Sequence, residues 1–357
     1  MATGWQQLWD RIKGTPAERR ACVAIARDHC DDGAALGRRF APDAHYFAVR
    51  LNEMYLARER EWATRYDPLV TVVSEFIYGS EEVKLPTAVG PSLLQQDGGA
   101  ATPAGRMSLR NTRVAGLHPF RGGRLALTVI LFKVERTNHA RDLLDLVGLG
   151  AKALDFSSAL APYLKIAGTL LGGVESMLKL NGTQAVLGQR IERDTDAAAG
   201  IEPGYHALID LPADDVKSER LWVKEGQLHE GASMERATPF ERGDFVLYSV
   251  VRDDRRSDLA LLPATSGWTR VKREAQTSVP DAWTNAKVNL AGLIQTARES
   301  ADLTPAQAEE LVAGWKTEAV RLHEDAVNFA RLGPDDDKAQ RRRAAAVRDE
   351  ALAVLAL

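Results

Sequence analysis

The most regular apolar pattern in the chain lies at residues 124–136, Arg-Leu-Ala-Leu-Thr-Val-Ile-Leu-Phe-Lys-Val-Glu-Arg, entered from the turn Arg121-Gly122-Gly123. Leu125, Leu127, Val129 and Leu131 share one face of an extended chain; Ala126, Thr128, Ile130, Phe132 and Val134 share the other. Both faces are apolar, which predicts a central strand covered on both sides. Residues 69–78, rich in β-branched and aromatic side chains and closed by Gly79, predict another strand. A later β block spans residues 205–262, with strands at 205–211, 221–223 and 245–251 and turns at Pro212, Gly226 and Gly243.

Helical spacing governs much of the rest. After Asp43, a capping residue, Phe47, Leu51, Met54, Tyr55 and Trp62 recur on one helical face, which predicts a helix over 43–66 that stops before Asp67-Pro68. Residues 17–29 read as helix, and 138–180 as a helical insert capped by Thr137 or Asn138 and broken at Pro162. Residues 85–105 hold Pro86, Pro91, Pro103 and several glycines and predict a long loop. Thr304-Pro305-Ala306-Gln307 sets threonine at N-cap, proline at N1 and glutamine at N3, a strong helix start, and Gly333-Pro334 separates that helix from a last one.

Alternating βα units are absent from this order. The pattern predicts an α+β fold with a mixed, mostly antiparallel β core built from two β blocks, flanked by N-terminal, inserted and C-terminal helices. The divisions are N-terminal helices at 1–66, a β core at 67–265 with its insert at 138–180, and C-terminal helices at 266–357, which together can form one compact domain. Two α+β halves divided near 194–203 are the alternative.

Composition narrows the function more than it names it. The 357 residues are 45% hydrophobic and carry a net charge of −3, so no global field draws the chain to nucleic acid or an anionic surface. Cys22 and Cys30, about 12 Å apart if residues 17–29 are helical, are expected as free thiols. With no apolar signal-peptide core near the start, this points to a cytoplasmic protein.

Local catalytic motifs are missing. Gly148 and Gly150 begin a dinucleotide fingerprint that lacks its third glycine, its preceding strand and its acidic residue. The seven histidines form no zinc pair, the serines no nucleophile elbow, and no phosphate loop occurs. No cofactor, metal or small molecule is therefore expected. The run Arg252-Asp-Asp-Arg-Arg256 reads as a solvated turn, and Arg341–Arg343 are insufficient for nucleic-acid binding without aromatic partners.

What remains is apolar. Residues 156–178 contain Gly168 and Gly172 in G-x-x-x-G spacing, interrupted by Lys165 and Glu175, and the chain finishes Ala-Leu-Ala-Val-Leu-Ala-Leu, with Leu352, Leu355 and Leu357 to be buried on its own body or on another chain. The leading expectation is a non-catalytic interaction or effector protein, acting on another protein or on itself through its C-terminal helix and its insert. A membrane-acting effector that releases 156–178 after a conformational change is one alternative. The other is a hydrolase whose site gathers two or more of His45, His118, His206 and Glu75 from distant positions.

Overall fold

The computed structural model describes residues 20–36, 38–61, 64–90, 106–135, 183–194, 202–277 and 279–330, with residues 169, 172, 173, 346, 347, 349 and 354. It has the expected α+β composition, divided into two compact units, one running to Asp254 and the other from Arg255.

The first unit is built from strands. Its first sheet contains, in spatial order, β1 (Ala21–Ile25), β9 (Gly204–Ile209), β13 (Phe245–Asp253), β2 (Tyr46–Tyr55) and β6 (Arg106–Pro119). The second contains β3 (Arg60–Glu61), β4 (Thr64–Tyr78), β7 (Arg124–Glu135) and β8 (Thr183–Asp194), with β5 (Glu81–Val89) on the other side of β4. A small third sheet joins β10 (Leu221–Lys224), β11 (Gln227–Glu230) and β12 (Thr238–Pro239). Every strand ladder is antiparallel. Strands β4 and β7 of the first β block lie in the second sheet, and β9 and β13 of the later block lie in the first, so the two blocks contribute to different sheets that share the main core.

The main core lies between the two large sheets. Val49, Leu51, Met54, Leu208, Val246 and Val250 from the first sheet meet Val70, Val72, Leu127, Val129, Leu131 and Leu187 from the second. The far face of the first sheet is also buried: Tyr205, Ala207, Ile209, Phe245 and Leu247 pack with Leu221, Val223, Leu228 and Phe240 of the small sheet and its neighbouring turn.

Strand β7 is the doubly buried central strand that its two apolar faces predict. The helix expected over 43–66 is instead β2, β3 and the start of β4, with Trp62 outside the described residues. In β2, Phe47, Leu51 and Met54 do recur at helical spacing, but Ala48, Val49 and Glu53 between them, and Tyr46 before them, are equally buried. A strand covered on both faces erases the two-residue period that would distinguish it from a helix.

The expected helix over 17–29 is likewise replaced by β1 and a 3-10 turn at Arg27–His29. Cys22 and Cys30 form no disulfide, though not because a helix separates them: Cys22 packs toward the main core and Cys30 toward the core on the opposite face of the sheet. Part of the expected 85–105 loop is β5, where Pro86 stands opposite Val73; among the described residues β5 has a ladder partner on one side only, where a missing N–H is tolerated. The expected insert falls almost wholly outside the described residues, of which Thr169, Gly172 and Gly173 are helical.

The second unit contains α1 (Trp268–Ala275), α2 (Pro280–Arg298) and α3 (Pro305–Ala330) around one core. Helix α3 begins where its start signal puts it, with the Thr304 carbonyl accepting from Ala308 N–H and the Thr304 hydroxyl from Gln307 N–H.

Candidate interaction surface

Among the candidate interaction residues, Leu352, Leu355, Leu357 and Gly168 lie outside the described residues. Val354, within the same tail, is fully buried in the helical unit's core beside Trp283, Leu290 and Trp315. Gly172 is exposed, and a Cβ built there meets nothing within 4 Å. No described helix is long and apolar enough to cross a membrane.

The four residues named for a dispersed hydrolase site are not brought together. His118 stacks on Phe76 at 4.9 Å, inside the sandwich. Glu75, the next residue to Phe76, projects from the opposite face of β4, because successive strand side chains alternate. His206 stacks on Tyr248 at 5.2 Å, on strand β9, three strand positions from His118 on β6, which is about 14 Å. His45 occupies the turn before β2. Among the described residues, no three histidine, cysteine, aspartate or glutamate side chains form a group able to hold a metal ion.

The strongest polar chemistry sits where the sequence pattern gives no warning. Glu53, fully buried on β2, takes Arg106 Nη1 at 2.5 Å on one oxygen and the Leu228 N–H at 2.8 Å on the other. The same guanidinium donates to the Phe240 carbonyl at 2.6 Å and lies 4.9 Å from the Tyr55 ring centroid. Burial pushes the Glu53 carboxyl up from its ordinary range, while Leu228 and Arg106 pull it down. Both charges are used in joining β2, β6 and the small sheet.

Glu75 is held by Arg190 and by Lys84 Nζ at 3.0 Å. Burial raises its pKa, but the two cations together outweigh burial and keep it below the ordinary 4.5.

Arg256 corrects the solvated-turn reading of 252–256. It is among the most buried large side chains, paired with Asp258 through Nε at 2.7 Å and Nη2 at 3.0 Å, and it donates from Nη1 to the Asp302 carbonyl at 2.9 Å. Gln307 clasps the Arg256 backbone, its Nε2 donating to the carbonyl at 2.9 Å and its Oε1 accepting from the N–H at 3.1 Å. The glutamine that signals a helix start therefore serves a brace between distant segments.

Apolar exposure has a narrower distribution. Trp283, Ala286, Leu290, Leu293, Ile294 and Ala297 form the buried face of α2. Val288, 67% exposed, falls off that period, and Val279 at the N-cap of α2 is 57% exposed. Leu261, in a 3-10 turn ahead of α1, is 67% exposed. Among the described residues these are the large hydrophobic side chains left in water, and all three belong to the helical unit. Comparison with protein-family models, curated proteins and solved structures finds no match for the chain.

Proposed function

We propose that the chain is a non-catalytic interaction protein that engages another protein chain through its C-terminal helical unit, with the strand unit as scaffold. The observation carrying this reading is that, among the described residues, the exposed large hydrophobics all belong to the helical unit. A partner covering them would remove their apolar surface from water, at about 25 cal/mol per Å². The use of Glu53, Arg106 and Arg256 as internal braces is consistent with a scaffold role for the buried charges.

The test is partner retention by the tagged full chain, with retained proteins identified by mass spectrometry, against the double variant Leu261→Ser, Val288→Glu. The expected result is that a specific partner, or untagged copies of the chain, is lost from the variant while its melting temperature is unchanged. Equal retention by both proteins would overturn the reading.

A further inference from the structure

His45 sits in a turn at one end of the strand unit, just before β2. The Ala41 N–H donates to its Nδ1 at 2.7 Å. An imidazole nitrogen that accepts a hydrogen bond carries no proton, so the proton of neutral His45 lies on Nε2, which faces Asp254 Oδ1 at 3.6 Å. Imidazolium has protons on both nitrogens and no acceptor left. A second proton must therefore go onto Nδ1, pointing at the Ala41 N–H.

That turn is fastened at several points near His45. Asp43, with φ of 59°, donates its N–H to the Phe120 carbonyl at 2.7 Å; Phe120 returns its N–H to the His45 carbonyl at 2.8 Å. Arg121 Nη1 donates to Asp43 Oδ1 at 2.7 Å, and the Phe40 and Phe120 rings lie 5.2 Å apart. From the end of β13, Arg252 donates to the Arg39 carbonyl at 3.2 Å and to Asp254 Oδ1 at 2.9 Å. The charged groups around the imidazole are thus Arg252 and Asp254 on the β13 side and Asp43 with Arg121 on the turn side. Asp254, 68% exposed and already bonded to Arg252, gives little to a new cation.

We propose that His45 is an acid-sensitive latch: neutral, it closes the 41–45 turn on itself by accepting from the Ala41 N–H, and on gaining a second proton it gives up that bond and loosens the turn. Burial first, and then the Arg252 charge, hold the His45 pKa below its ordinary 6.5, against a smaller opposing pull from Asp254. The sign follows from linkage. The latch is closed above 6.5, and its contribution is lost as pH falls from there through the depressed folded value.

The test is NMR on the full chain between about pH 7.5 and pH 4.5, reading the His45 ring nitrogens and the protection factor of the Ala41 amide. The expected neutral tautomer has Nδ1 unprotonated, and the Ala41 protection factor falls about threefold to tenfold, the equivalent of one net hydrogen bond, in step with His45 protonation. In His45→Asn, whose amide oxygen can accept from Ala41 but does not titrate, protection persists to low pH. Protonation of His45 with Ala41 protection unchanged would overturn the proposal. A ring that starts as the Nδ1–H tautomer, or stays neutral throughout, would overturn it on the native chain even were the variant not to fold.

Discussion

Each unit buries an arginine, but the carboxylate that pairs with it comes from a very different distance along the chain. In the strand unit Arg106 meets Glu53 across 53 residues and the Phe240 carbonyl across 134. In the helical unit Arg256 meets Asp258 two residues away, and its farther ties reach 46 and 51 residues, to the loop and first turn at the start of α3. The desolvation problem is the same in both, since a buried guanidinium needs its donors matched. The strand unit solves it with the fold as a whole, whereas the helical unit solves much of it locally. Breaking a brace should therefore unsettle the first unit more than the second.

The largest effect is expected at Glu53. Glu53→Ala leaves Arg106 buried without its counter-charge and should destabilise the strand unit by about 3–5 kcal/mol, read as a lower denaturant midpoint for exchange of β2 and β6 amides. Replacing both Glu53 and Arg106 by Met should recover much of that loss, because it removes the stranded charge as well as the pair. Arg256→Met should cost the helical unit less, about 2–3 kcal/mol, since the side chains of Asp258 and Asp302 are 17% and 10% exposed and can regain water. Helical circular dichroism during denaturant titration checks it. If Arg256→Met proves the costlier change, the contrast between long-range and local bracing fails.

Smaller effects sharpen the same contrast. Thr304→Ala removes a local cap and should cost about 1 kcal/mol, confined to the helical unit's transition. In the strand unit, Glu75 is kept below 4.5 by Arg190 and Lys84, so its stabilisation is present above 4.5 and lost as pH falls through the depressed value. Acid titration of strand-unit stability should show this slope, and Arg190→Met should flatten it.

The same difference explains what was legible in the sequence. The start of α3 was readable because its cap is local, and β7, β9, β10 and β13 were readable from apolar runs bounded by turns. Strand β2 imitates a helix in its sequence because its burial on both faces depends on residues far along the chain, in β13 and the small sheet. Strands β6 and β8 show no clear apolar run, as Arg106, Ser108, Thr112 and Arg113 in one, and Gln184, Gln189, Arg190 and Glu192 in the other, interrupt their apolar residues. The candidate surface was half-visible: Val288 breaks the Trp283-Ala286-Leu290 period, a signal present in the sequence, while the exposure of Leu261 depends on how its turn packs. Arg256 was hidden in a charge run that resembles an ordinary solvated turn, and only its partners show otherwise.

Whether the helical unit, rather than the strand unit, meets the partner is decided by cross-linking of the full chain in cells, with mass spectrometry of the linked peptides. Intermolecular links should concentrate on Lys272, Lys287 and Lys316 of the helical unit and disappear with Val288→Glu, an exposed change expected to shift stability by no more than about 0.5 kcal/mol. Links concentrated instead on Lys84, Lys217 and Lys224 of the strand unit, and unaffected by Val288→Glu, would contradict it.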